Sequence, residues 1–398
     1  MKEGPGGLRD LHTVVWAGRE LLACRNLEEL LEHGQISSSE FAIVRKAYEF
    51  LLRIRNESHF QAGRKADTLN LDAQQAISGQ LGYKQSKGLL ASEVLMRDYY
   101  RRASELFNFT EDFLRLLDPA PGGRTGRMVE QGVPGLETRT DGIYLVLRKQ
   151  SRPEGLPGGF TVAGNEIHYG GVIQDFLRRP MLALEAIDLA QTKDAALGRQ
   201  LKREIESILP AVASRLSSSK EARELFLKIM SRRGRVGRAV RIMRDCGILF
   251  SFVPEFARIT FLVQHDYYHR YTIDEHTIKA IEALDNLSGS SDEKTIALRH
   301  AFDEIKDLST LYLSVLLHDI GKGRGSGHVD RGARLAEKVT NRLALDPETA
   351  RTVVFLIGNH LLLSHLSQRR DLSDDHLIRR VAGLVENVDR LNLLLLLT

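Results

Sequence analysis

The feature that most narrows what this chain can become is a His–Asp dipeptide, His318–Asp319. It follows the apolar run Leu311-Tyr-Leu-Ser-Val-Leu-Leu317 and precedes Ile320-Gly-Lys-Gly-Arg-Gly-Ser-Gly-His328. So apolar a run reads as a buried helix. Adjacent helical positions point about 100° apart, so both side chains can meet one ion only at the helix end. The Gly321 and Gly323 breaks supply that end. An aspartate after Leu316-Leu317 is expensive to bury unpaired, and a bound cation would compensate it. The competing reading is a capping aspartate beside a core histidine.

A third candidate ligand, His276, lies in Tyr271-Thr-Ile-Asp-Glu-His-Thr277, at the start of an amphipathic helix reaching Leu284 and capped at Thr272 or Asp274. Imidazole and carboxylate ligands with an open coordination position suit a divalent ion that activates water. A lone histidine there would instead be a packed core residue. His328 and His360, the latter closing Phe355-Leu-Ile-Gly-Asn, are candidates for a second ion with Asp319 bridging; structural histidines are the alternative. His365 is the weaker neighbour. Lys322 and Arg324 make the glycine-rich stretch a flexible basic loop that can neutralise a phosphate, or they are surface cations. Gln368-Arg-Arg-Asp371 offers further cations under the same ambiguity.

Two other patterns stand apart. His265–Asp266 repeats the dipeptide without a glycine opening and reads as support for His276. Arginines at 232, 235, 238 and 241 recur every three residues, as a solvated helix face or as a receiver of an acidic partner or RNA. No P-loop, dinucleotide fingerprint or nucleophile elbow is present. Nor does any Gly-Ser precede an Asp-x-Asp pair, so a nucleotidyltransferase metal site is absent from these residues.

With 398 residues the chain can build two or three domains with substantial cores. A net charge of +4 makes it no polycation, so nucleic acid is not an expected partner and any phosphate attraction is local. Cys24 and Cys246 are too far apart in sequence for a metal-type spacing and read as free thiols. The densest apolar stretch, Leu391 to Leu397, is far below the roughly 18 residues of a membrane span, and no apolar signal core follows Met1. A soluble, cytoplasmic protein is the expectation. Both ends read as cut: a Gly-Pro-Gly-Gly loop directly after Met1-Lys-Glu has no element to turn from, and an apolar helix stops uncapped at Thr398.

The expected fold is mostly α. Residues 1–118 read as a helical array, with helices from Leu8 to Cys24, from the Ser37-Ser-Ser-Glu40 capping box to Gln61, and from Leu89 to Leu117. A linker over 119–140 follows. A small β region over 141–175 holds a strand at Gly142–Leu147 and a hairpin turning at Ala163-Gly-Asn165. A helical connector over 176–262 comprises Leu177 to Ala190, Gln200 to Leu216 and Lys220 to Met230, the last opened by Ser217-Ser-Ser-Lys-Glu221. The C-terminal domain, 263–398, is all α and holds the metal-type spacing.

At these residues the chain resembles a known family, the bifunctional uridylyltransferase/uridylyl-removing enzymes that modify the nitrogen regulator PII. The resemblance rests on Lys2-Glu-Gly-Pro-Gly-Gly-Leu-Arg-Asp-Leu-His12 with Trp16, and on Gln264-His-Asp-Tyr-Tyr-His-Arg-Tyr-Thr-Ile-Asp-Glu-His-Thr277. It extends to Leu317–His328, His360–Asp371 and the Asp67–Tyr83 region. It implies a C-terminal HD-type phosphohydrolase domain with His276, His318 and Asp319 on a Mg or Mn ion, and Asp319, Lys322 and Arg324 in the chemistry. The implied reaction is hydrolysis of the phosphodiester joining a uridine nucleotide to a PII tyrosine. Uridylylated PII is thus the implied partner. The family's nucleotidyltransferase carboxylates would precede Met1, and its ACT domains and a further aspartate ligand would follow Thr398. Two alternatives stay open: hydrolysis of free nucleotides, or a non-catalytic PII-binding remnant.

Overall fold

The computed structural model describes residues 1–86, 88–117, 154–263, 271–287, 289, 292–369 and 374–398. They form two compact units, Met1–Glu154 and Gly155–Thr398. The expected linker, the strand at 142–147 and the His265–Asp266 dipeptide lie outside the described residues.

The first unit is helical: α1 (Leu8–Leu22), α2 (Leu27–Glu32), α3 (Ser38–Ala62), α4 (Leu71–Gln80) and α5 (Ala91–Leu117). The capping box at Ser37 forms as expected. Its hydroxyl accepts from the Glu40 amide, and the Glu40 carboxylate accepts from the Ser37 amide at 2.8 Å. Helices α2 and α4 went unread in the hydrophobic pattern because they are short; each is started by an asparagine, Asn26 or Asn70, whose side chain accepts from a backbone N–H three residues on. Leu11 and Val14 of α1, Val44 and Leu51 of α3, and Leu106 and Phe113 of α5 close the core between them.

In the second unit the segments read separately as β region, connector and C-terminal domain pack together. Strands β1 (Glu154–Gly155), β2 (Phe160–Ala163), β3 (Glu166–Tyr169) and β4 (Ala196–Leu197) form one sheet in that order. β2 and β3 pair antiparallel about the predicted turn, with Ala163 opposite Glu166 and Gly164 at φ 61°. The helix expected from Leu177 to Ala190 is two helices, α6 (Ile173–Arg178) and α7 (Met181–Lys193). Pro180 divides them, because the residue before a proline is driven from the α region, and Arg179 sits at φ −128°, ψ 82°. Then come α8 (Arg199–Ser218) and α9 (Lys220–Met230), whose true cap is Ser219; it accepts from the Ala222 amide, one register later than the capping-box pattern suggested.

The remaining helices are α10 (Val236–Asp245), α11 (Leu249–Phe252), α12 (Ile273–Leu287), α13 (Ile296–Glu304), α14 (Leu308–Leu317), α15 (His328–Arg342), α16 (Pro347–Asn359), α17 (Leu362–Arg369), α18 (Asp375–Val385) and α19 (Val388–Leu397). From Thr310 to Leu317 every residue of α14 is buried, and α9, α12, α16 and α19 pack around it. This central helix fixes where its last residue points. Among the described residues no helix is long and apolar enough to cross a membrane. Cys24 and Cys246 are both buried thiols.

Candidate metal centre

Four helix ends converge on Asp319. Helix α14 finishes at Leu317, so His318 and Asp319 occupy the turn just beyond it, where two adjacent side chains can face one point. His276 comes from the first turn of α12, which begins at Ile273 directly after Thr272; Asp274 is buried inside that turn. His328 begins α15, and His360 follows the last residue of α16.

The rings of His276 and His318 are 5.4 Å apart, His318 and His360 5.7 Å, and His328 and His360 5.9 Å. His318 Nε2 lies 3.2 Å and His276 Nε2 3.9 Å from Asp319 Oδ2. Two sets of potential ligand atoms result, His276–His318–Asp319 and Asp319–His328–His360, each with all its atoms within 4.8 Å of one another. Asp319 belongs to both. His276, His318, Asp319, Lys322, His328 and His360 therefore share one site.

Hydrogen bonds aim the buried rings. His318 Nδ1 donates to the Val315 carbonyl at 2.7 Å and His360 Nδ1 to Ile357 at 2.8 Å, which leaves each Nε2 for the cleft. Burial pushes the His360 pKa down to about 4, and burial lowers His328 as well, so both rings are neutral at neutral pH with a lone pair to offer. For His318 burial also disfavours the cation, but the adjacent Asp319 carboxylate outweighs it and raises the pKa. Burial works against the Asp319 anion too, yet His318 and Lys322 hold its carboxyl well below the usual carboxylate range.

The compensation for that buried charge comes in this structure from protein groups: Lys322 Nζ is 2.8 Å from Asp319 Oδ2. A buried, ionised carboxylate ringed by imidazoles nonetheless fits a divalent ion, the carboxylate and imidazole donors being of the right kind and within a shared ligand radius.

The glycine-rich loop is gathered by one arginine. Its carbonyls turn onto Arg331, whose guanidinium donates to Gly321, Ser326 and Gly325 oxygens at 2.8, 3.3 and 3.2 Å. Gly323 turns at φ 82°, and beyond it Arg324 is exposed and lines no part of the cleft. Of the two loop cations, the structure brings only Lys322 to the site. His365 is exposed on α17 and away from the cleft, and Arg370 and Asp371 lie outside the described residues.

Two features escaped the sequence reading. Arg331 is one, since nothing local distinguishes it from any surface arginine. The second is the cleft itself, about 1150 Å³, with the imidazoles and Asp319 at one end and Ala280, Ala283, Leu287, Leu298, Leu361 and Leu395 along its other walls. Thr398, just after α19, lines it; its hydroxyl lies 2.8 Å from the Leu394 carbonyl and 3.3 Å from that of His360. The arginine series is structural: Arg232 pairs with Asp188, Arg235 donates to the Thr192 carbonyl, Arg238 pairs with Asp194, and Arg241 with Glu275 and Glu282.

The chain is similar to known proteins over its whole length. Residues 1–114 match the family model described as GlnD PII-uridylyltransferase, and residues 273–392 match the HD domain. The bifunctional uridylyltransferase/uridylyl-removing enzyme of Cereibacter sphaeroides is 33% identical over 100% of this chain and 41% of its own length. Those of Ruegeria pomeroyi and Rhodospirillum rubrum are 32% and 33% identical, again over all of this chain and 42% and 40% of theirs. The chain spans about two fifths of the length of these curated relatives. It resembles the bifunctional uridylyltransferase/uridylyl-removing enzymes from end to end, with a C-terminal HD domain in a mostly α fold.

Proposed function

We propose that this chain is a metal-dependent phosphodiesterase that hydrolyses the bond between a uridine nucleotide and a tyrosine of PII, in the cytoplasm, as part of nitrogen regulation. The observation that carries the reading is the meeting of His276, His318 and Asp319 at a common point on the wall of a large cleft. These three residues would hold a Mg or Mn ion, with His328 and His360 joining Asp319 at a second. A divalent ion there lowers the pKa of a bound water and polarises a phosphoryl oxygen.

The chain's own groups supply the rest. Water oxygen attacks phosphorus and gives up a proton, the bond from phosphorus to the tyrosyl oxygen breaks, and the electron pair leaves on the phenolate oxygen, which takes up a proton from solvent. A phenolate leaving group has a conjugate-acid pKa near 10, so it needs less help from a general acid than an alkoxide. Lys322, already beside Asp319, is placed to neutralise charge on the phosphoryl group. Arg324 takes no part, because it lines no part of the cleft.

Charge favours a phosphodiester over free polyphosphate nucleotides. Among the described residues lining the cleft, Lys322 is the one lysine or arginine, whereas the greater part of the wall is apolar and can take an aromatic leaving group. A polyphosphate chain would call for several cations.

The test uses uridylylated PII, with free nucleotides as competitors, in Mn²⁺ and in chelator. The parent should release uridine monophosphate only with metal. His318→Ala should lose at least about 100-fold in rate while keeping its helical circular dichroism. Equal rates in parent and variant would remove His318 from the chemistry, and faster cleavage of free nucleotides would exchange the substrate.

A further inference from the structure

Helices α10 and α12 are zipped together by charge along their facing sides, and His276 stands at one end of the zip. Arg241 forms a two-pronged pair with Glu275, Nη1 and Nη2 each 2.9 Å from a carboxylate oxygen, and also reaches Glu282 at 2.7 Å. Arg244 reaches Asp274 at 3.2 Å, Glu275 at 3.1 Å and Asp245 at 2.9 Å. Asp274 has no exposed surface, and its other oxygen accepts the Phe261 amide at 2.9 Å. At the opposite end Asp285 accepts the Val236 and Gly237 amides, the first N–H groups of α10. The helices approach so closely at Gly237 that a methyl group there would meet Glu282 Cγ at 2.6 Å.

Such a network is a poor way to gain stability. Removing several charges from water costs nearly what their attraction returns, and a packed apolar seam of the same volume would serve as well. What ion pairs add is geometry, because a two-pronged guanidinium–carboxylate pair tolerates little rotation. The residues held, Asp274 and Glu275, immediately precede His276 in the same turn. One residue of helix rotation would swing that imidazole about 100° away from Asp319.

We propose that Arg241 and Arg244 are positioning residues for the metal centre: by gripping Asp274 and Glu275 they fix the rotation of α12 and so keep His276 facing Asp319 and His318. This rests on the metal-centre reading above. The arginine series that looked from sequence like a solvated or partner-binding face thus ends in a device acting through its neighbour's first turn. Rings 318 and 360 are aimed by carbonyls of their own helices.

The test is Mn²⁺ affinity of the whole chain, read from the electron paramagnetic resonance signal of free Mn²⁺, with melting temperature measured alongside. Arg241→Gln is the main variant, since Arg241 is partly exposed; Arg244→Gln, more deeply buried, is the second. Arg241→Gln should melt as a folded protein and bind Mn²⁺ about 10- to 100-fold more weakly, the usual cost of losing a group that orients a ligand. In a His276→Ala background the same change should alter affinity less than about twofold, because the ligand it orients is gone. Unchanged affinity in folded Arg241→Gln overturns the inference, and so does an undiminished loss in the His276→Ala background. A parent that takes up no Mn²⁺ overturns the metal centre and this inference with it.

Discussion

Asp319 shows why a residue's neighbours decide its meaning. Alone it is a carboxylate buried at the end of an apolar helix, a costly placement. With Lys322 at 2.8 Å and imidazoles on its other sides it becomes a charged hub that favours cations. Gly321 makes the hub possible, since a side chain there would run into the His328 carbonyl and the Gly332 amide. Those are backbone atoms that cannot swing away. Gly321→Ala should therefore destabilise the second unit by about 1–3 kcal/mol, the range for overpacking, and weaken Mn²⁺ binding by moving His328. Calorimetric melting with and without Mn²⁺ checks it, and a variant matching the parent in both would show that α15 can retreat freely.

At the scale of the element, capping residues set the boundaries that periodicity left vague. Asn26, Asn70, Ser37 and Ser219 each start a helix in the first or second unit. Helix α16, which delivers His360, starts at Asp346: the Glu348 and Thr349 amides donate to its carboxylate at 3.1 and 3.0 Å. The hydrogen bond from the Thr349 hydroxyl, then those from the amides, holds the Asp346 carboxyl below its ordinary range. A depressed folded-state pKa means stability fully present above the unfolded value near 4 and lost as pH falls through the folded one. The melting temperature of Asp346→Asn should thus sit a fixed amount below the parent from pH 7 to pH 5, and the gap should close below about pH 4. A gap that stays constant through acid would mean that the charge contributes nothing there.

For the molecule as a whole, every candidate ligand belongs to the unit Gly155–Thr398, which has its own buried core around α14. Residues 155–398 expressed alone should melt cooperatively and bind Mn²⁺ within about threefold of the whole chain. Loss of cooperative melting in that piece would show that Met1–Glu154 is needed for the fold. Dialysis of the whole chain against chelator should lower its melting temperature, because an ion bound only by the folded state stabilises it by mass action.

The sequence by itself determined the helices with a clear apolar face, the β2–β3 hairpin and the buried character of α14, and it named as candidates the six residues that gather at Asp319, because each carries a local mark: periodicity, a turn dipeptide, a glycine break after His–Asp. It left open which loop cation joins the site and what the arginine series meets, and its reading of Leu177 to Ala190 passed over the break at Pro180. Only the tertiary structure decided that Arg331 gathers the glycine-rich loop, that Arg324 stays outside, that Lys322 rests on Asp319, and that Arg241 and Arg244 reach across to α12. The reason is physical. A helix face or a turn is specified by residues a few positions apart, whereas the partner of a long charged side chain is chosen by whichever carboxylate or carbonyl the packing of distant helices brings within its reach.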